Sequence, residues 1–214
     1  MDADETGLRA RLVAAGVDLV LREGQSAVSL REIARRAGVS HGAPRRYFPT
    51  HVDLLSAIAR EGFADLTARV EETMRDAGSD PRARLTALGR TYLDFAAAHR
   101  GMFELMFRHD LLATGRLRLR ETSLPLFAVL TDLVAQLRRP TDAPTPVLAG
   151  ALWANLHGIA QLWAWGSLPL ATGATDDGDL LRAALDAHLG PAPERTVHPP
   201  QTEGPCPCCT TSPS

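Results

Sequence analysis

The stretch SLREIARRAGVSHGAPRRYFPTHVDLL, residues 29–55, decides the fold of this 214-residue chain. Ser29 followed three residues later by Glu32 is the pattern of a capping box that begins a helix. Gly38 can adopt the left-handed conformation that ends a helix, and Ser40 can then cap a second one. Two short capped helices joined by a three-residue turn predict a helix-turn-helix.

The second helix, predicted at about residues 41–47, has almost no apolar face of its own. Such a helix exposes its N-terminal end, which in a helix-turn-helix enters the major groove of DNA. The small residues Gly42 and Ala43 permit close approach, while neighbouring His and Arg side chains reach bases or phosphates. Pro44 removes one early hydrogen bond if the preceding serine is the cap, and the sequence leaves open whether it shifts the helix start or stiffens it.

Positive charge is concentrated in the same region. Residues 9–51 contain eight arginines and three acidic residues, a balance of +5 within a chain whose net charge is -2. The arginines are Arg9, Arg11, Arg22, Arg31, Arg35, Arg36, Arg45 and Arg46, and the acids are Asp18, Glu23 and Glu32. This asymmetry, together with the turn pattern, favours a nucleic-acid-binding module over an ordinary solvated face.

The rest of the chain is also predicted to be helical, because apolar residues recur at spacings of three and four. We expect an all-α protein with about nine helices, at about residues 8–22, 30–37, 41–47, 51–77, 81–98, 101–113, 117–138, 145–166 and 176–189, with a linker at 166–175. Pro125 should kink or split the seventh helix. Gly16, inside the first helix, either costs helix stability or marks close contact with another helix.

Three regions follow from composition and pattern: a helix-turn-helix domain at 1–50, a helical domain at 51–190 and a tail at 191–214. The tail is rich in Pro, Ser and Thr and is predicted to be disordered. It holds all three cysteines, Cys206, Cys208 and Cys209. A disulfide-stapled or cysteine-catalysed body is therefore excluded.

The block from Val28 to Leu55 resembles the TetR family of bacterial transcriptional regulators. The resemblance implies an N-terminal three-helix DNA-binding domain, joined by a long helix to a larger helical bundle. That bundle is expected to form a homodimer and to bind a small effector that releases a pseudo-palindromic DNA operator. We therefore expect a ligand-responsive repressor, while the operator, the regulated genes, the effector and the sign of regulation stay open.

The resemblance also implies roles for individual residues of the DNA-binding region. Phosphate contacts are expected at Ser29, Ser40 and Tyr47, and base-facing positions at His41, Gly42 and Ala43. Arg45, Arg46 and His51 complete the predicted DNA-binding set. Arg45 stands where the family usually has Tyr, and His51 stands where Lys is usual, so that its phosphate contact becomes weaker or dependent on pH.

The C-terminal domain contains Trp153, His157 and Gly158, which resemble the Trp-x3-His-Gly signature of one TetR subset. The predicted effector-binding residues are Phe95, Phe103, Met106, Phe107, Phe127, Trp153 and His157. The alternative is that these residues only fill the core. If they line a cavity, the ligand is mostly apolar.

The helix predicted at 145–166 is apolar on two sides, so it should pack against its own core and against a second partner. Because the dimers of the resembled family form through their last two helices, the simplest partner is another copy of the chain. The predicted dimer residues are Leu152, Leu156, Ile159, Trp163, Leu181 and Leu185.

Several functional classes are disfavoured. The sequence lacks the common phosphate-binding, hydrolase, zinc-protease and di-iron motifs, so we expect no enzyme, no cofactor and no metal site. It has no signal peptide and no confident membrane span, which predicts a cytoplasmic protein without a membrane partner. The alternative function is a helical metal-responsive or interaction protein that uses His198 and the Cys-rich tail.

Overall fold

The computed structural model describes residues 3–108, 110–111, 119–139 and 143–191, which form ten α-helices and no β-strand. The helices α1 to α10 are, in order, Ala3–Glu23, Leu30–Arg36, Ala43–Tyr47, His51–Asp76, Pro81–Ala98, Arg100–Met106, Leu119–Leu137, Thr145–Ala164, Ser167–Thr172 and Gly178–Leu189. A single 3-10 turn, Gln25–Ala27, follows α1. The predicted all-α class is confirmed.

Three details differ from the predicted helices. The predicted linker at 166–175 is wrong, because six of its residues form α9 between Gly166 and Gly173, whose positive φ angles of 75° and 70° turn the chain sharply. Helix α6 ends at Met106, earlier than predicted. Helix α7 continues through Pro125, so the predicted split does not occur. None of the described helices has the length and apolar composition needed to cross a bilayer.

Helix α4 connects the two ends of the molecule. It packs against α1 on one side and against α5, α6 and α7 further along. A Cβ atom on Gly16 of α1 would overlap with Cδ1 of Ile58 on α4. The glycine inside α1 therefore marks a close helix contact, the second of the two alternatives that the sequence left open.

Helix α6 also contacts α1, at the 3-10 turn end. A Cβ atom on Gly101 would lie 2.9 Å from the Val20 carbonyl oxygen and 3.1 Å from Gly24 Cα, so backbone meets backbone here. Buried side chains from Leu12 to Leu189 form one continuous cluster. The division at residue 50 thus coincides with the start of α4 and not with a break in the core, and it stays a prediction. Residues 192–214 of the predicted tail lie outside the described residues.

Candidate functional site

The turn between α2 and α3 is built as the sequence predicts. Ser29 caps α2, and its Oγ accepts the N–H of Glu32 at 3.1 Å. At the other end Gly38 has a φ of 68° and donates its N–H to the Arg35 carbonyl at 3.2 Å. The next residue donates to the Ala34 carbonyl at 3.0 Å. These two bonds are the Schellman motif, which satisfies the last carbonyls of the helix and aims the chain toward α3.

The second half of the predicted capping box is not formed, because the Glu32 carboxylate has other partners. It accepts hydrogen bonds from Arg35 at 2.6 Å and from Arg36 at 2.8 Å. These bonds, that of Arg35 foremost, lower the pKa of Glu32 to about 2. Arg36 also pairs with Asp18, at 3.1 Å, and with Glu23. The ion pairs therefore attach α2 to α1 and fix the orientation of the helix-turn-helix.

Helix α3 begins at Ala43, so the predicted start at residue 41 and the predicted cap at Ser40 are wrong. The cap is Gly42, which has no side-chain hydrogen bond, and the Ser40 carbonyl accepts the N–H of Ala43 at 3.0 Å. The later start places Pro44 at the second helical position, where a backbone N–H has no partner within the helix anyway. The proline therefore shifts the helix start.

The outer side of this segment carries the residues predicted to contact DNA. Pro44 and Phe48 are buried and anchor the helix, and the Arg9 guanidinium lies 5.3 Å from the centre of the Phe48 ring. The predicted contact residues Ser29, Ser40, His41, Gly42, Arg45, Arg46 and His51 are exposed, and Ala43 and Tyr47 are half-buried. The arrangement leaves the N-terminal end of α3 accessible, as a recognition helix requires.

The ion pairs also show where the excess positive charge lies. All three acids between residues 9 and 51 are paired, with Arg22, Arg35 and Arg36. The arginines outside these pairs are Arg9, Arg11, Arg31, Arg45 and Arg46. Arg11 donates to the Ala37 carbonyl at 2.7 Å, whereas Arg31, Arg45 and Arg46 are exposed and have no protein partner among the described residues.

Helix α4 begins with a complete capping box. Thr50 Oγ1 accepts the N–H of Asp53 at 3.1 Å, and the Asp53 carboxylate accepts the N–H of Thr50 at 3.0 Å. His51 Nε2 lies 2.9 Å from the Val28 carbonyl oxygen and must carry a proton to donate to it. Because this bond uses Nε2, only Nδ1 of the His51 ring is left for a phosphate contact.

A second site lies in the body of the molecule, as a partly open cavity of ≈ 740 Å³ bounded by α4, α5, α7, α8 and the end of α6. Its wall is largely apolar and rich in aromatic rings. The rings are those of Phe63, Tyr92, Phe107, Phe127, Trp153 and His157. None of the described lining residues is acidic or is an arginine. A cavity of this size and lining suits a small, mostly apolar molecule.

One tyrosine hydroxyl connects the polar atoms of this wall. Trp153 Nε1 donates to Tyr92 Oη at 3.2 Å, and Tyr92 Oη lies 2.9 Å from His157 Nδ1. Burial raises the pKa of Tyr92 well above its usual value, so the hydroxyl keeps its proton. The hydroxyl proton needs an acceptor, and the indole N–H can only donate. Among the described residues, His157 Nδ1 is the one acceptor within hydrogen-bond distance of the hydroxyl, so the tyrosine donates to it. Because Trp153 and His157 are one helical turn apart on the same helix face, both side chains reach this hydroxyl.

Family models match both parts of the chain. The model of bacterial regulatory proteins of the tetR family matches residues 12–58, which include the helix-turn-helix. The model of the tetracyclin repressor-like C-terminal domain matches residues 85–188, which include most of the cavity wall. The chain belongs to the TetR family.

Individual relatives agree with this membership. The transcriptional activator FasR of Mycolicibacterium smegmatis is 28% identical over 102 residues, 48% of this chain and 46% of FasR. The matched segments span less than half the length of the curated relatives. A protein of unknown function from Rhodococcus sp. RHA1 is 32% identical with a TM-score of 0.72, over 85% of this chain and 93% of that one. The multidrug binding protein EbrR in complex with ethidium is 28% identical with a TM-score of 0.59, over 85% and 98%.

Four of the seven predicted effector residues of this TetR protein line the cavity: Phe107, Phe127, Trp153 and His157. Phe95, Phe103 and Met106 are buried in the core and are not among its lining residues. Phe103 stacks on the His157 ring with centroids 5.2 Å apart and so supports it from behind. The prediction missed Phe63 and Tyr92, although a tyrosine on an otherwise apolar helix face, four residues after Leu88, was a usable signal.

The predicted dimer residues are mostly in the wrong place for a contact between copies. Leu152, Leu156, Ile159, Leu181 and Leu185 are buried within the single chain, where α8 and α10 pack against each other and against α5. Only Trp163 is half-exposed. The stripe that looked like a second interface is therefore the contact of α8 with its own bundle.

Other chemistry receives no support from the part of the chain that the structure describes. Within it, no group of three or more His, Cys, Asp or Glu side chains could hold a metal ion. The alternative based on His198 and the cysteines concerns residues that lie outside the described ranges.

Proposed function

We propose that this TetR-family chain is a ligand-responsive transcription regulator that binds a pseudo-palindromic DNA operator as a homodimer and leaves it when a small, mostly apolar effector occupies the cavity. The observation that carries the proposal is the presence, in one chain, of an exposed cationic recognition helix and a ≈ 740 Å³ apolar cavity. Helices α4 and α6 contact the helices of both regions.

The DNA-binding part rests on α3 and its surroundings. Arg45 and Arg46 are exposed, have no protein partner among the described residues, and project from a helix held by the buried Pro44 and Phe48. Guanidinium groups with no internal partner are free to pair with phosphates or with guanine edges. The three acids of residues 9–51 are already paired with Arg22, Arg35 and Arg36, so Arg45 and Arg46 do not serve to balance them.

The effector part rests on the cavity. Its wall is aromatic and aliphatic, with few polar atoms, which is typical of small-molecule sites. The relative EbrR is described as a multidrug binding protein in complex with ethidium. That relative supports the binding of a small molecule in the helical bundle of this chain. The chemistry of the ligand has to be inferred from the residues that line this chain's own cavity.

For the dimer we propose the outer face of α8 and α10 in place of the buried stripe. Val147 and Leu162 on α8 and Trp165 directly after its end fall on one side of a helix with 3.6 residues per turn. They have 60%, 39% and 61% of their surface accessible. Between them lies Gly158, where an added Cβ atom would meet no other atom within 4 Å. A face with apolar side chains and small residues allows the helices of two copies to approach closely around a two-fold axis. TetR regulators usually form dimers.

The experiment that tests the proposal is selection of binding sites by the full chain from a library of random DNA duplexes. We expect enrichment of a pseudo-palindrome whose half-sites lie about one or two helical turns apart, because each copy places one recognition helix in the major groove. Sedimentation of the complex should give two chains per duplex. Failure to enrich any sequence above the starting library would contradict the DNA-binding part.

A matched pair of variants tests the dimer face in the same assay. Gly158→Arg places a charge on the proposed face and should give monomers that no longer retain the selected duplex. Ala97→Arg adds the same side chain at an exposed position of α5 and should leave both properties unchanged. If the Gly158 variant sediments as the native dimer, the interface lies elsewhere.

A further inference from the structure

The polar atoms of the cavity wall narrow the chemistry of the effector. Four polar side chains line the cavity: Tyr92, Ser123, Trp153 and His157. Three of their polar groups are hydrogen-bonded to one another: the Trp153 N–H to the Tyr92 hydroxyl at 3.2 Å, and that hydroxyl to His157 Nδ1 at 2.9 Å. Since Nδ1 accepts the tyrosine proton, the neutral imidazole carries its own proton on Nε2. That N–H has no protein partner among the described residues.

The same wall offers nothing to balance a charge. None of its described residues is acidic, so a cation would meet only ring faces, and none is an arginine, so an anion would meet no fixed positive group. Burial lowers the pKa of His157, which keeps the imidazole neutral near pH 7. Transfer of an unpaired ion from water into such a cavity is strongly unfavourable.

Resting on the proposed effector role of the cavity, we propose that it selects an uncharged, mainly apolar ligand that carries one hydrogen-bond acceptor, such as a ketone, ester or amide carbonyl, bound by the Nε2–H of His157. The apolar body of the ligand lies against Phe107, Phe127 and Trp153. The ring centroid of Phe107 is 4.8 Å from that of His157 and 6.1 Å from that of Trp153, so the acceptor end and the aromatic wall are adjacent.

Tyr92 acts in this proposal as a positioning residue. Its hydroxyl holds His157 in the tautomer that presents Nε2–H, while Phe103 stacks on the ring at 5.2 Å and fixes its plane. The Trp-x3-His spacing then has a functional reason, because the indole directs the tyrosine proton and the tyrosine directs the imidazole proton.

Four probes that share a naphthalene ring and differ only in the head group test the proposal by equilibrium dialysis against the full chain. They are 2-acetylnaphthalene, which is neutral with an acceptor; 2-ethylnaphthalene, which is neutral without one; 2-naphthoate, an anion; and 2-naphthylmethylammonium, a cation. We expect the ketone to bind about tenfold more tightly than the hydrocarbon, since only the ketone accepts the hydrogen bond of the Nε2–H in the largely apolar cavity. Both ions should bind more weakly than the ketone.

Variants assign the preference to the imidazole. His157→Phe keeps a stacking ring but removes the donor, and should reduce the ketone to the affinity of the hydrocarbon, whose own binding should not change and so reports an intact cavity. Tyr92→Phe removes the hydroxyl that keeps the His157 proton on Nε2, and should partly reduce the preference for the ketone over the hydrocarbon. Ser123→Ala removes the other polar group that could donate and should preserve the preference. Gly150→Leu fills the cavity, since a Cβ there meets no atom within 4 Å, and should abolish binding of every probe.

The outcomes separate this inference from the function on which it rests. Binding that Gly150→Leu abolishes supports the effector role of the cavity. If such binding is seen but an ion has the same affinity as the ketone, or the preference for the ketone over the hydrocarbon survives in His157→Phe, the inference is overturned and the effector role stands. If no probe binds the native chain in that manner, the effector role is contradicted and the inference is overturned with it.

Discussion

The DNA-binding region and the cavity of this TetR protein differ in how their charged and polar side chains are paired. In the DNA-binding region, the three acids of residues 9–51 are paired with arginines of the same region, and the charge of Arg31, Arg45 and Arg46 is left to solvent. The cavity between α4, α5, α7 and α8 has no acidic or arginine side chain among its described lining residues, and the Trp153 N–H, the Tyr92 hydroxyl and His157 Nδ1 are hydrogen-bonded to one another. The charge of the first region suits a polyanion, and the wall of the second suits the uncharged ligand that we propose.

This contrast explains why charge patterns identified the first region and could not identify the second. An unpaired guanidinium is recognisable in the sequence as an excess of Arg over acids. A neutral cavity has no such compositional signal, because its residues are the same types that fill any core. The predictions below test the contrast, beginning with the change of largest effect.

Replacing Ala43 with Leu should have the largest effect. Ala43 is the first residue of α3 and is only half-buried, so a larger side chain there would meet the floor of the major groove. We expect affinity for the selected operator to fall about 1,000-fold, to the level of non-specific DNA. Fluorescence anisotropy with operator and scrambled duplexes measures this, and Ala97→Leu on α5 is the control. Retention of operator affinity within threefold would mean that α3 does not read the bases.

The boundary between the two regions should respond strongly to Gly101→Ala. The added methyl group would lie 2.9 Å from the Val20 carbonyl oxygen, and a backbone atom cannot move aside as a side-chain end can. We expect a loss of about 1–3 kcal/mol in the free energy of unfolding, which denaturant titration measures.

Gly150→Ala is the matched control for this change. A Cβ atom at Gly150 meets nothing within 4 Å, so alanine there should raise the free energy of unfolding by up to about 1 kcal/mol through helix propensity. Equal effects of the two variants would show that the close approach of α6 and α1 does not contribute to stability.

Arg45→Ala should weaken DNA binding by a smaller and sequence-independent amount. Removing one phosphate contact lowers the slope of log affinity against log salt concentration by about 1. Arg75→Ala removes the same charge at the opposite end of α4 and should leave the slope unchanged. A preference for particular bases that disappears in the Arg45 variant would instead assign this residue to base recognition.

The smallest expected effect concerns pH and the cavity. Burial lowers the pKa of His157 in the folded chain below its unfolded value, so the unfolded chain takes up a proton more readily as the solution is acidified. The associated stability is present above about pH 6.5 and is lost as the pH falls below that value. Melting temperatures between pH 7.5 and 5.5 should therefore decline less steeply in His157→Phe than in the native chain. An unchanged slope would mean that the imidazole is already well solvated.

Sequence patterns succeeded where the deciding chemistry is local. The cap at Ser29 and the left-handed Gly38 each depend on residues within four positions in the sequence, and both are formed. The cap at Ser40 failed for an equally local reason, because placing Pro44 early in the helix was more favourable than using the serine. The position of a proline relative to the first free N–H groups decides such cases.

The cavity and the dimer face could not be predicted because they depend on which helix faces meet. Leu152 and Leu156 form an apolar stripe that looks the same whether it packs on its own bundle or on a second copy. Only the positions of α5 and α10 show that the stripe is already covered. Likewise, Tyr92 and His157 are 65 residues apart, and nothing in their local sequence indicates that their side chains are hydrogen-bonded.

The backbone contact between α6 and α1 has a mechanical consequence. Where helices touch through side chains, a displacement of one is absorbed by rotamer changes before the other responds. Gly101 leaves no such compliant layer between α6 and the Val20 carbonyl, so the joint is stiff. Helix α6 is seven residues long, and Phe107, the residue after its last, lines the cavity. Helix α6, about 10 Å long, therefore connects the cavity wall at one end to α1. Helix α1 in turn contacts the recognition helix α3.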